Sequence, residues 1–123
     1  MLDWSKYPSF KKSEFDCKET GENGMTHAFM FRLQSLRNEH GKPMIVNSGF
    51  RSVNHSIEVR KAKGGTHTKG IAVDIRADGK ARYEIAELAF KYGFTGIGIH
   101  KNFIHLDIAT NDDGFARPWL WNY

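Results

Sequence analysis

Two short stretches of the chain carry residues whose types and spacing suit a metal ion. In the first, His67 ends a glycine-rich loop, and Asp74 follows seven residues later inside an alternating run that predicts a strand. The alternation turns Asp74 away from the packed face, where it needs a partner because an unpaired buried carboxylate is costly. In the second stretch, residues 103–108, His105 and Asp107 share the face opposite the apolar residues. Two histidines and one aspartate, with one coordination position left open, are what a catalytic zinc ion requires.

The elements that position these residues alternate between helix and strand. Apolar residues at spacings of four, four and three predict an amphipathic helix over residues 25–40, and a short strand follows at 44–46. A second apolar stripe predicts a helix over 81–92, with Asp78 as its cap and Gly93 as its stop. The predicted order is therefore helix, strands, helix and hairpin.

The hairpin, residues 95–108, has a register that matters for the candidate site. A two-residue turn would place Gly98 opposite His105 and Gly96 opposite Asp107. Glycine inside a strand often marks a close approach by a ligand or another backbone, so we expect open space above the sheet there. A bulge is the structural alternative for these glycines.

The 123 residues predict a single domain over 1–123, with an irregular lead-in at 1–24 and a tail at 110–123 packed on the body. We expect the tail tryptophans, Trp119 and Trp121, to serve this packing. The single cysteine excludes an internal disulfide, and no apolar run is long enough to span a membrane. The N-terminus begins no signal peptide, so we expect the chain to be made in the cytoplasm. We also expect a monomer that does not insert into membranes.

Positive charge is concentrated beside His67. Residues 51–69 hold five lysines and arginines against one glutamate, while the whole chain has a net charge of +4. A solvated basic loop and a surface that attracts an anionic polymer both fit this pattern. No nucleic-acid-binding motif is present, which argues against a nucleic acid partner.

Several motifs together resemble the zinc D-alanyl-D-alanine carboxypeptidase family, which includes L-alanyl-D-glutamate peptidases and small phage-type members. The resemblance covers roughly residues 10–109. The motifs are Ser48-Gly49-Phe50-Arg51-Ser52, Gly65-Thr66-His67 through Asp74, Gly96-Ile97-Gly98 and Phe103-Ile104-His105-Leu106-Asp107.

The resemblance implies a fold, a cofactor and a substrate. The fold would be α+β, a small antiparallel sheet flanked by helices, as in the hedgehog signalling domain. One zinc ion per chain would be held by His67, Asp74 and His105, and Arg51 would contact the substrate's carboxylate or carbonyl. The expected activity is hydrolysis of peptidoglycan stem peptides, as a D,D-carboxypeptidase or an L-alanyl-D-glutamate endopeptidase.

The general base is where the chain departs from the family pattern. Many relatives carry an acid three residues before the last histidine ligand, and this chain has Asn102 there. We expect Asp107 to be essential, either as the base or as an anchor behind a metal ligand, and His100 to assist as a proton carrier.

Two other functions remain open from the sequence. One is a zinc-binding module that has lost catalysis and contacts the cell wall or a protein, an alternative that Asn102 raises. The other is a structural component of a phage particle. We expect an active enzyme to act on the cell wall, either after release as an endolysin or as part of the phage particle.

Overall fold

The computed structural model describes residues 2–61 and 64–123, and it confirms the α+β class. Residues 62 and 63, which belong to the predicted basic segment, lie outside the described residues. Within the described residues, no helix is both long and apolar enough to span a membrane. The helices and strands are α1 His27–His40, β1 Ile45–Ser48, β2 Ala72–Arg76, α2 Gly79–Lys91, β3 Gly96–Ile99, β4 Phe103–Asp107 and β5 Trp119–Asn122.

Both helices begin and end close to the positions that the sequence predicts. Helix α1 follows Thr26, whose hydroxyl accepts a hydrogen bond from the N–H of Phe29, and it ends at Gly41 in the left-handed conformation, with φ of 72°. Helix α2 follows the predicted cap Asp78, but the side chain of Asp78 makes no capping hydrogen bond. The cap prediction was therefore right about the position and wrong about the contact.

The sheet contains five strands in the order β1-β2-β4-β3-β5. The first four strands pair antiparallel, as the family resemblance implies. Strand β5 pairs parallel to β3 at the sheet edge, so the sheet as a whole is mixed. The predicted tail, residues 110–123, thus supplies a strand of its own.

The predicted hairpin register is confirmed, since Gly96 pairs with Asp107 and Gly98 with His105. The expected open space above these glycines is absent. A Cβ atom on Gly98 would lie 2.5 Å from the ring of Trp121, and one on Gly96 would collide with the carboxylate of Asp107. The two glycines therefore allow side chains, and not a ligand, to lie close against the sheet.

One face of the sheet packs on the helices to form the core, and the other face carries the polar residues that the sequence singled out. The lead-in closes the core with three buried aromatic side chains, Tyr7, Phe10 and Phe15, although it contains only short 3-10 turns. Core residues on the sheet are Val73, Ile75, Ile97, Ile104 and Leu106.

Candidate metal centre

The three predicted ligands meet on the polar face of the sheet. Asp74 on β2 and His105 on β4 are directly paired across the two strands, and His67 reaches them from the 3-10 turn Thr66–Lys69. His105 Nδ1 lies 3.0 Å from Asp74 Oδ1, and His67 Nε2 lies 3.4 Å from the same oxygen. One ligand atom from each residue falls within 4.8 Å of the others, and all three residues are buried.

The hydrogen bonds behind the two histidines decide which ring nitrogen carries the hydrogen and which is left with a free lone pair. His67 Nδ1 lies 2.7 Å from the carbonyl oxygen of Gly49, which can only accept, so this nitrogen carries the hydrogen. His105 Nε2 lies 2.7 Å from Asp107 Oδ2 and donates to that carboxylate. His67 Nε2 and His105 Nδ1 are then free to bind a metal, in the arrangement typical of histidine ligands held from behind.

The two acceptor nitrogens lie at distances from Asp74 Oδ1 that suit a tetrahedral zinc ion. Ligand atoms about 2.0–2.1 Å from zinc are about 3.3 Å apart along the edge of a tetrahedron. The separations of 3.0 and 3.4 Å around Asp74 Oδ1 match that edge. Nitrogen and carboxylate donors are also the types that zinc prefers.

The charges of the cluster agree with a cation site. Burial alone would raise the pKa of Asp74, but the close contacts of its carboxylate with His105 and His67 hold it below its ordinary value. Burial alone would lower the pKa of His105, but its hydrogen bonds with Asp107 and Asp74 raise it. Without a metal, a proton on His105 satisfies Asp74, and a bound metal would replace that proton.

Asp107 lies behind His105 and does not line the cleft in front of the metal ligands. Burial alone would raise its pKa, but hydrogen bonds from His105 and Arg117 bring it down to about 2. The backbone N–H of Ala109 donates to Asp107 Oδ1 as well, at 3.1 Å. This environment favours the anchor over the base among the two roles predicted for Asp107, and that role stays a prediction.

Arg117 was not predicted from the sequence, although it completes the support of the cluster. Its Nε donates to Asp107 Oδ1 at 3.0 Å and its Nη2 donates to Oδ2 at 2.7 Å, a two-pronged contact. The guanidinium also lies 5.5 Å from the ring centre of Phe115 and 5.4 Å from that of Trp121. An arginine among aromatic residues in the tail was the available sequence signal.

Arg51, the predicted substrate contact, lines the cleft beside the metal ligands. Its Nη2 lies 3.7 Å from Asp74 Oδ2, and its Nη1 donates to Glu58 Oε2 at 3.3 Å. Glu58, which the sequence did not single out, has a fully buried side chain. Arg51 is therefore fixed between two carboxylates at the edge of the cleft.

The cleft in front of the metal ligands has a volume of about 360 Å³, and its lining includes aromatic residues. Trp121 was expected only to pack the tail onto the body, and this expectation was too narrow. Its ring lies 5.2 Å from the ring of His105 and lines the cleft. Trp119, in contrast, is 58% exposed and contributes nothing to the cleft lining. The aromatic lining residues are Phe103, Phe115, Trp121 and Tyr123.

His100 and Asn102 lie at the hairpin turn, outside the cleft lining. The ring of His100 stacks on Phe103 at 4.4 Å, and its Nδ1 accepts from the N–H of Asn102. Phe103 lines the cleft, and the ligand His105 follows it two residues, about 7 Å, further along β4. Asn102 lines a separate depression with Arg76. The shared face predicted for His100 thus does not bring it to the metal ligands.

Comparison with known proteins agrees with this geometry. The Peptidase M15 family matches residues 8–107 of the chain. Peptidoglycan L,D-endopeptidase MepK of Escherichia coli K12 is 35% identical over 97 residues, which cover 73% of this chain and 50% of that protein. Zinc D-Ala-D-Ala carboxypeptidase of Streptomyces albus G is 36% identical over 90 residues, which cover 70% of this chain and 35% of that protein.

The chain spans half of the first of these relatives and about a third of the second. The family match ends at Asp107, so the cleft residues Arg117, Trp121 and Tyr123 lie beyond it. The matched stretch contains the whole triad of candidate metal ligands together with Arg51. By this match, and with the histidine and aspartate cluster that the fold assembles, the chain belongs to the Peptidase M15 family.

Proposed function

We propose that the chain is a zinc-dependent peptidase that hydrolyses bonds in peptidoglycan stem peptides, of the D,D-carboxypeptidase or L-alanyl-D-glutamate endopeptidase type. The observation that carries the proposal is the convergence of His67 Nε2, Asp74 Oδ1 and His105 Nδ1 at the base of an open cleft. The names of the two relatives support it, since one names peptidoglycan and the other names D-Ala-D-Ala and zinc.

His67, Asp74 and His105 would hold one zinc ion, which supplies a water of lowered pKa and polarises the scissile carbonyl. Arg117 donates a hydrogen bond to Asp107, and Asp107 accepts one from His105 Nε2. This keeps the hydrogen of His105 on Nε2 and leaves Nδ1 able to bind the metal. Such partners behind a ligand typically strengthen metal binding. The chain's own contribution to the metal is therefore a rigid, pre-arranged donor set.

Arg51 supplies the positive charge on the substrate side. Its guanidinium is fixed by Glu58 and Asp74, and it lies next to the ligand atoms without being one. A planar, permanently charged group suits a substrate carboxylate or the oxygen on which negative charge develops. Stem peptides are rich in carboxylates, which agrees with the basic side of this cleft.

Proton transfer requires a base within hydrogen-bond reach of the water. Within the described residues, Asp74 is the only carboxylate that lines the cleft. His100 is the proposed assisting carrier and would act through water, because it stacks on Phe103 and does not itself line the cleft. Loss of His100 should therefore reduce turnover less than loss of Asp107.

The same scarcity of carboxylates favours a second candidate, a zinc-binding module without hydrolytic activity. Asn102 occupies the position where many relatives carry an acid, and it lines a depression away from the cleft. Such a module would keep the metal and bind a wall peptide without cleaving it.

Digestion of purified peptidoglycan separates the two candidates and tests the proposal. The zinc-loaded protein should release new muropeptides whose masses, read by mass spectrometry, identify the bond. Chelator and the His67→Ala variant should abolish the products, whereas the exposed-surface variant Lys80→Ala should not. An unchanged muropeptide profile with zinc-loaded protein would reject the peptidase and leave the binding module.

We further propose that the chain is a monomer of one domain and that it meets the wall as a free endolysin or as a component of a phage particle. Support comes from the motif resemblance to small phage-type members of the family. Peptide mass spectrometry of purified particles and of particle-free lysate tests this. Chain peptides in the particles indicate a virion component, chain peptides only in the lysate indicate an endolysin, and absence from both contradicts the proposal.

A further inference from the structure

Glu58 is a buried carboxylate that the proposed chemistry does not use. Its side chain has no exposed surface. Its Oε2 accepts from Arg51 Nη1 at 3.3 Å and from Lys61 Nζ at 3.1 Å, and its Oε1 accepts from the N–H of Gly65 at 2.9 Å. A carboxylate with three donors in place is held in one position, and it holds both cations beside each other.

The charges alternate from the metal ligands outward. Asp74 is followed by Arg51, then Glu58, then Lys61, with each neighbour in the series within 3.7 Å. Because Glu58 contacts both Arg51 and Lys61, the series continues past Glu58 and its outermost charge is the cation Lys61. The cleft wall next to the metal ligands therefore ends in a positive charge that is fixed before any substrate binds.

Lys61 is available to a ligand from this position. Its side chain is 41% exposed, and it lines the cleft together with Gly65 and Thr66. An ammonium group has three hydrogens to donate, and Glu58 takes one of them. A Cβ atom on Gly65 would lie 2.8 Å from Lys61 Nζ, so glycine there lets the ammonium group lie against the loop.

The two bond types named under the proposed function share one chemical feature. In D-Ala-D-Ala, the residue that leaves with the amine carries a free α-carboxylate. In the L-Ala–D-Glu bond, the stem continues through the γ-carboxyl of D-Glu, so its α-carboxylate is free as well. Both substrates thus place an anion on the carbon next to the scissile nitrogen.

We propose that Lys61, held by Glu58 beside Arg51, is the receptor for this α-carboxylate on the leaving-amine side of the substrate. The proposal rests on the proposed function for its substrate class. Lys61 is then a specificity-determining residue, and Glu58 is the positioning residue that keeps the two cations together. Pre-arranged cations lose little freedom on binding, which favours recognition of one anion in one place.

The test compares acetyl-L-Lys-D-Ala-D-Ala and a γ-linked L-Ala-D-Glu stem peptide, each as the free α-acid and as the α-amide. Binding to the zinc-loaded protein is measured by calorimetry, and cleavage by mass spectrometry. Lys61→Met should weaken binding of the free acid about tenfold and leave the amide unchanged, as expected for one lost hydrogen bond to a charged group. Gly65→Ala keeps every charge but displaces the ammonium group, and it should weaken only the acid.

Lys69→Met is the matched control, since Lys69 is an exposed lysine of the same basic segment outside the cleft lining. It should change neither ligand. Equal losses for acid and amide in Lys61→Met, or no loss in either, would overturn the receptor and reduce Lys61 to a loop contact. A preference for the acid that depends on Lys61, without cleavage of any peptide, would keep the receptor and reject the peptidase.

Discussion

Arg117 offers the sharpest perturbation, because it touches no proposed metal ligand yet should control metal binding. Its guanidinium makes two hydrogen bonds to Asp107, at 3.0 and 2.7 Å, and Asp107 holds His105 Nε2. We compare Arg117→Lys, which keeps the charge but loses the planar fork, with Arg117→Gln, which loses the charge.

The expected magnitude follows from burial. The side chain of Arg117 is 10% exposed and that of Asp107 is not exposed at all. Breaking a buried pair by removing one partner costs about 3–5 kcal/mol in the free energy of unfolding. We expect that range for Arg117→Gln and about half of it for Arg117→Lys. Losing a partner behind a metal ligand typically weakens metal affinity about 10–100-fold.

The assay is a zinc titration against a competing chelator, with chemical denaturation of the same samples to confirm that they are folded. Arg82→Lys is the matched control, because Arg82 is half-buried and donates to the carbonyl oxygen of His100, away from the cleft. It should bind zinc as the wild type does. Wild-type zinc affinity in folded Arg117→Gln would refute the role of Arg117 and of the contact through Asp107.

Three further predictions address the substrate contact, the aromatic lining of the cleft and the response to acid. Arg51→Ala should keep zinc and the folded state but greatly lower kcat/KM. Arg51→Lys should restore little of this activity, because a point charge does not replace the planar guanidinium. Wild-type kinetics in Arg51→Lys would contradict this. Gly98→Ala must displace the ring of Trp121, so the free energy of unfolding should fall by about 1–3 kcal/mol. Tryptophan fluorescence should change as well, and an unchanged emission spectrum would speak against the contact between Gly98 and Trp121. In zinc-free protein, the pKa of Asp107 lies near 2, below its ordinary 3.8, so its stabilisation is present above about pH 4 and is lost as the pH falls to 2. Urea denaturation should show this loss, and a curve of the same shape in Asp107→Asn would exclude Asp107 as its source.

The sequence predicted the parts of the site that lie on regular strands. Alternation along β2 and β4 placed Asp74 and His105 on one face, and the hairpin register follows directly from the two-residue turn. Strand periodicity is a local property, so it can be read without knowing the tertiary structure. The stripes that predict α1 and α2 belong to the same class of signal.

The parts that were missed depend on contacts distant in sequence. Nothing local marks Arg117 as the partner of Asp107, because the contact exists only once residues 110–123 turn back and β5 pairs parallel to β3. Trp121 reaches the cleft for the same reason. Glu58 carries no local signal either, because a lone acid in a basic segment usually lies in solvent, whereas here it is buried among three donors.

His100 shows the limit of an argument based on shared faces. Alternation correctly indicated its side of the hairpin, but a face extends along the whole strand, and His100 lies at the far end from Asp107. A proton carrier needs hydrogen-bond reach, and His100, stacked on Phe103 at 4.4 Å, does not itself line the cleft.

The central claim is that one zinc ion is bound by His67 Nε2, Asp74 and His105 Nδ1. Anomalous diffraction at the zinc absorption edge, from crystals grown with one equivalent of zinc, tests it most directly. We predict a single strong peak per chain at about 2.0–2.1 Å from these three atoms, with His105 Nε2 still donating to Asp107. A peak that leaves out any of the three residues, or one bonded to His105 Nε2, would contradict the account.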